Sequence, residues 1–126
     1  MSDSITLTLN YPPSINHYYM RFKNRVVISA RGQEYRTNQI LSIKMQLYKQ
    51  SLKCIDSPLK CTIDLYLPDR RKRDIDNILK CLLDTLTHSG VYIDDSLIYD
   101  LHVIKHKFDK SMSNFVIVKL EKLENV

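Results

Sequence analysis

The chain has 126 residues, 44 % of them hydrophobic, which fits one compact domain over 1–126 and excludes a disordered tail. A formal charge of +5 favours a polyanionic partner without deciding for one, since many soluble proteins carry such an excess. Cys54, Cys61 and Cys81 form no C-x-x-C, no apolar run approaches transmembrane length, and the first four residues lack the organisation of a signal peptide, so we expect a cytoplasmic protein without zinc or membrane.

Ile5, Leu7 and Leu9 alternate with Thr6, Thr8 and Asn10, the period of a strand with one buried face, and Pro12-Pro13 ends it. The loop that follows, with Tyr11, Asn16, His17, Tyr18 and Tyr19, could stack on and hydrogen-bond to nucleotides, which makes Asn16 and Tyr18 candidate DNA contacts. The same tyrosines could equally cover the core. Arg25–Ile28 reads as a short strand and Ser29 as the N-cap of a helix. Over 32–53, Ile40, Ile43 and Leu47, flanked by Leu41, Met45, Tyr48 and Leu52, recur at helical spacing and predict a wide buried stripe. This helix is scaffold, and its Arg36, Lys44 and Lys49 read as a solvated face.

Ser57-Pro58 breaks the pattern. Leu59, Cys61, Ile63, Leu65 and Leu67 then alternate with Lys60, Thr62, Asp64 and Tyr66 as the clearest strand in the chain. It runs into Arg70, Arg71, Lys72 and Arg73, set directly against the D-x-D pair Asp74 and Asp76. Clustered cations attract an anion, while clustered carboxylates repel unless a cation sits between them, so the pair reads as a hard-metal site for Mg²⁺ or Mn²⁺. A phosphodiester backbone satisfies both halves.

Ile75, Ile78, Leu79, Leu82, Leu83 and Leu86 predict an amphipathic helix stopped by Gly90, with Asp74 at its start and Asp76 and Lys80 on one face. A plainer account also stands: Asp is common in first turns, and Asp76 with Lys80 is an ordinary i, i+4 ion pair. Asp94 and Asp95 add a second acidic pair after the helix, and carboxylates from separate segments make a better hard-metal site than one D-x-D. Residues 98–108 read as a strand with Tyr99, Leu101 and Val103 on one side and His102 and His106 on the other, and 115–120 as its hairpin partner. The histidines could be ligands or surface residues near phosphate, and a carboxylate-rich site without sulfur favours the second.

The string Pro68-Asp69-Arg70-Arg71-Lys72-Arg73-Asp74-Ile75-Asp76-Asn77, then Lys80 and Ile93-Asp94-Asp95, closely resembles the RusA family of Holliday junction resolvases. Pro12-Pro13-Ser14-Ile15-Asn16-His17-Tyr18-Tyr19 and the segment containing Ser29, Gly32, Gln33, Tyr35 and Arg36 resemble it too, so the likeness covers nearly the whole chain. It implies catalytic, metal-holding carboxylates at Asp74, Asp76 and Asp95, a catalytic lysine at Lys80, and a DNA-contacting run of Arg70, Arg71, Lys72 and Arg73 with Asn77 beside it. It further implies a small α/β domain of the α+β type, with a mixed sheet of four to five strands and two main helices, working as a homodimer with divalent metal. Two departures are visible. Lys72 interrupts an arginine-rich run, and Val91-Tyr92 stands where a bulkier aromatic pair is expected, which would loosen the turn holding Asp95.

The leading expectation is therefore a Mg²⁺-dependent endonuclease that resolves four-way DNA junctions by paired nicks in recombination and repair. The alternatives are a junction-binding protein without catalysis and a metal-dependent nuclease on other branched DNA. Carboxylates set beside phosphate contacts argue against a pure binder.

Overall fold

A computed structural model of the protein describes residues 4–51 and 53–124. Four strands, β1 (Ser4–Asn10), β4 (Leu59–Tyr66), β5 (Ile98–His106) and β6 (Phe115–Lys122), form a mixed sheet in the order β1-β6-β4-β5. Two more, β2 (Tyr19–Phe22) and β3 (Arg25–Ile28), form a separate hairpin. The helices are the single turn α1 (Ile15–Tyr18), the long α2 (Ala30–Gln50) and α3 (Leu79–Ser89), with short 3-10 turns at Ile75–Ile78 and Asp95–Leu97. The expected α+β class and mixed sheet are what the chain adopts.

β4 takes the centre because its alternation is complete: Leu59, Cys61, Ile63 and Leu65 are fully buried while their neighbours are half-buried. It pairs antiparallel with β6 and parallel with β5, the parallel connection passing through α3. The hairpin expected between 98–108 and 115–120 is therefore wrong. β6 returns on the far side of β4, and the connection crosses the end of β4, where the Asn114 amide donates to the Tyr66 carbonyl at 2.8 Å. β4 and β6 hold the two central places, and β5, which buries no residue fully, is left at the edge.

α2 starts where expected, with Ser29 Oγ accepting the Gly32 amide at 3.0 Å, and ends at Ser51 in the left-handed region, short of the expected limit. Its stripe is narrower than the apolar spacing implied. Ile43 is buried and Ile40 and Leu47 half-buried, but Leu41, Met45 and Tyr48 are exposed; Leu52 lies outside the described residues. Glutamines line much of the packed side: Gln39 Oε1 accepts the Asn10 amide, Gln46 bonds both the amide and carbonyl of Thr8, and Gln50 donates to the Thr6 carbonyl. They satisfy the open edge of β1. Arg36, assigned to the solvated face, instead faces Asp84 on α3 at 3.9 Å.

Gly32 is required by packing, because a Cβ there would lie 2.7 Å from the Tyr18 ring. Tyr18 is fully buried over it and donates its hydroxyl to Asp84. Burial, then that hydrogen bond, holds its phenol protonated. Tyr18 is thus a core residue and not a stacking platform for nucleotides. Cys61 and Cys81 are buried and Cys54 is exposed. No helix among the described residues is long and apolar enough to cross a membrane.

Candidate active site

β4 delivers the chain into a loop organised by Asp69. Its carboxylate accepts the Arg71 amide at 3.0 Å and Arg71 Nε at 3.2 Å, and it accepts Arg73 Nε at 3.3 Å and the second guanidinium nitrogen at 2.8 Å. An aspartate bonding the amide two residues on is the usual means of folding a turn without repeating structure. The Arg73 guanidinium, then the Arg71 amide, pull its carboxyl down to about 2.

The four cations of 70–73 therefore divide. Arg71 and Lys72 are exposed, and Arg70 lies over the Phe108 ring at 5.1 Å. Arg73 is drawn inward, only 24 % exposed, against Asp69 and within 5.8 Å of the Tyr11 ring centroid. From the edge strand, Lys105 Nζ donates to the Arg73 carbonyl at 2.8 Å and pins the loop to β5 just before Asp74.

Asp74 caps the 3-10 turn Ile75–Ile78 through its carbonyl, which accepts the Asn77 amide at 3.2 Å, while its side chain makes no cap bond. Asp76 lies in that turn, and Lys80 is the second residue of α3. Both are exposed. The continuous helix expected from Ile75 is tightened at its start, which alters the register between positions four apart. Among the described residues no ion pair within 4.0 Å joins Asp76 to Lys80, so the ordinary pairing considered from spacing does not form.

The second acidic pair stands on a firmly packed turn. Val91 and Tyr92 are fully buried, the Val91 carbonyl accepts the Ile55 amide at 2.9 Å, and Tyr92 donates its hydroxyl to the Leu83 carbonyl at 3.1 Å. Loosening of this turn by Val91-Tyr92 is not what the structure shows. Asp94 is spent on folding: its carboxylate accepts the Ser96 amide at 3.2 Å, and hydrogen bonds from Ser96 lower its pKa. Asp95 begins the 3-10 turn with its carboxylate free.

Asp74, Asp76 and Asp95 thus share a property: each is exposed, and no side chain or amide among the described residues bonds its carboxylate. The turns that carry them both contact α3, and the first also touches β5. As donors they suit a hard divalent cation, being carboxylate oxygens with no competing partner. Among the described residues, however, no three acidic, histidine or cysteine side chains are gathered closely enough to hold one ion. His102 and His106 lie elsewhere, bonded to Asp100 at 2.9 Å and Asp64 at 2.7 Å; His106 also stacks on Tyr66, which stacks on Phe115, each pair 4.6 Å apart. Of the remaining candidates, Asn16 is exposed on α1 and Asn77 is half-buried in the first 3-10 turn.

The model of the family Endodeoxyribonuclease RusA matches residues 10–121. The chain belongs to the RusA family. It is 40 % identical over 103 residues to Crossover junction endodeoxyribonuclease RusA of Shigella sonnei (strain Ss046), spanning 82 % of this chain and 83 % of that one. The protein of that name from Escherichia coli (strain K12) is 39 % identical over the same shares, and that of Enterobacteria phage 82 is 41 % identical over 99 residues, 79 % of this chain and 80 % of its own.

In this RusA-family chain, sequence reasoning missed Asp69 and Lys105, the two side chains that fix the basic loop. Asp69 had a usable signal, an aspartate directly after proline and two residues before a backbone amide in a turn. Lys105 had none, because its partner is a carbonyl 32 residues away.

Proposed function

We propose that this chain is a divalent-metal-dependent endonuclease that resolves four-way DNA junctions as a homodimer, in recombination and repair. The observation that carries the reading is the contrast among its aspartates: Asp69 and Asp94 are committed to folding two turns, while Asp74 and Asp76, directly after a fixed basic loop, and Asp95 on the second turn are left free. Free carboxylates next to phosphate contacts weaken simple DNA binding, so their presence favours chemistry over binding alone. The names of the relatives, crossover junction endodeoxyribonucleases, supply the substrate.

Asp74, Asp76 and Asp95 would hold Mg²⁺, or Mn²⁺. Bound there, the ion supplies Lewis-acid polarisation of a phosphoryl oxygen and a water activated at neutral pH. Three like charges repel, so drawing these turns together is coupled to binding of the cation. Arg70, Arg71 and Lys72 neutralise backbone phosphates and set the strand's position, with Asn77 and Asn16 as further polar contacts. Lys80, exposed and unpaired at the start of α3, stabilises charge that develops on the scissile phosphate.

Resolving a junction into two duplexes takes two matched cuts, and a two-fold dimer offers two equivalent sites to a target of approximate two-fold symmetry. The test is incubation with a synthetic four-way junction and a matched linear duplex, each with and without Mg²⁺, with strands separately end-labelled. Paired nicks in the junction alone, only with metal, are expected. Equal cutting of the linear duplex would contradict the junction reading, and undiminished cutting without divalent metal would contradict the metal reading.

A further inference from the structure

Beside the basic loop lies an open polar cavity of about 450 Å³. Its lining residues include Tyr11, Asn10, Arg31, Glu34, Asn38 and Asn114. A second cavity of about 270 Å³, which includes Arg71 and Arg73, shares Tyr11, Pro13, Arg31 and Asn114 with the first, so the two make one trough. Its floor is fixed: Tyr35 donates its hydroxyl to the Asn10 carbonyl at 2.6 Å, Gln39 accepts the Asn10 amide at 3.0 Å, and the Tyr11 amide reaches the Asn114 carbonyl at 3.4 Å. Its rim is not. Among the described residues, the side chains of Asn10, Arg31, Glu34, Asn38 and Asn114 make no hydrogen bond or ion pair within the protein.

We infer that this cavity receives one unstacked nucleobase of the strand whose phosphates lie on Arg71, and that Glu34, Asn38 and Arg31 read its edge. The inference rests on the junction-DNA reading above. Three amides, a guanidinium and a carboxylate on one rim are the side-chain types that match the donor and acceptor patterns of base edges. A phosphate is a poorer occupant, because Glu34 would repel it. An aromatic wall suits a base face, and a strand bending through a junction gives up a base from the stack more readily than a continuous duplex does. The trough's other half, with Arg71 and Arg73, lies one short step away for the attached phosphate. This gives the protein a route to sequence preference that the carboxylates and the basic loop do not provide.

The test uses the full chain and four-way junctions carrying 2-aminopurine at each nucleotide flanking the nicked phosphate, without Mg²⁺ so that strands stay intact. Binding should raise the probe's fluorescence several-fold at one position, the mark of unstacking. Glu34→Ala and Asn38→Leu, both at exposed helix positions, should remove that rise while leaving junction affinity within about threefold. With Mg²⁺ restored, cleavage of junctions that differ only at that nucleotide should show about a tenfold or greater preference in the wild type and a preference under about threefold in the variants. A wild type that binds and nicks junctions with no fluorescence gain at any position, or variants that keep both the gain and the preference, would overturn the pocket while leaving the junction activity standing. A wild type that neither prefers nor nicks junctions would instead overturn the reading on which the pocket depends.

Discussion

Two acidic turns, 68–78 and 90–97, present the free carboxylates, and they are held by opposite means. The second is anchored from below by the buried Val91 and Tyr92, the Ile55 bridge and a tyrosine hydroxyl on the backbone of α3. The first has only Ile78 buried under it and is otherwise shaped in solvent by Asp69, its two arginines and the strut from Lys105. In both, one aspartate folds the turn so that a later one can stay uncommitted. A surface that must meet DNA cannot be buried, so its order has to come from charge-assisted hydrogen bonds; the turn away from the basic loop can use burial.

Substitutions should separate the two anchoring modes. The largest effect is expected at the free carboxylates: Asp74→Asn or Asp76→Asn should take junction cleavage to background while junction affinity, measured by gel shift, holds or rises as repulsion toward phosphate falls. Lys80→Ala should cost on the order of 10²-fold in single-turnover cleavage rate with little loss of binding. In the buried anchor, Tyr92→Ala should destabilise the fold by about 3–5 kcal/mol in denaturant titration, and Tyr92→Phe by about 1 kcal/mol.

In the exposed anchor, Asp69→Asn should slow cleavage and lower the unfolding midpoint at neutral pH slightly, far less than Tyr92→Ala does, because the carboxylate is in solvent. Its pH dependence has a definite sign. The folded-state pKa of about 2 lies below the unfolded value near about 3.9. The stabilisation is thus complete above that unfolded value and is lost as pH falls toward about 2, so wild type and Asp69→Asn should converge only in acid. The smallest effect is expected from Arg71→Ala, which should weaken binding for all sequences alike and reduce the salt slope by about one.

The difference between the turns also explains what could be read from the residues alone. Burial leaves a periodic trace, so β1, β4 and the apolar face of α3 were legible, as was the Ser29 cap. Tyr18 misled because an aromatic in a loop looks alike whether it stacks on a base or fills the space above Gly32. The α2 stripe was drawn too wide because the residues that hold this helix to β1 include Gln39, Gln46 and Gln50, and an apolar period does not register an edge strand satisfied by amides. β2 went unread since its only strong marker is the Lys23-Asn24 turn, where both residues take positive φ without glycine. Asp74, Asp76, Lys80 and Asp95 were found from charge spacing and family resemblance together. What spacing could not show is which aspartate of each turn is spent on the backbone.

That division is the central claim, and Asp94 and Asp95 test it most directly because they are adjacent, equally charged and on the same anchored turn. Single-turnover cleavage of one four-way junction at fixed Mg²⁺ should be measured for Asp94→Asn and Asp95→Asn in parallel. The account predicts background activity for Asp95→Asn and a rate within severalfold of wild type for Asp94→Asn, whose amide side chain retains an oxygen for the Ser96 N–H. Equal losses from both, or a silent Asp95→Asn beside a dead Asp94→Asn, would contradict it.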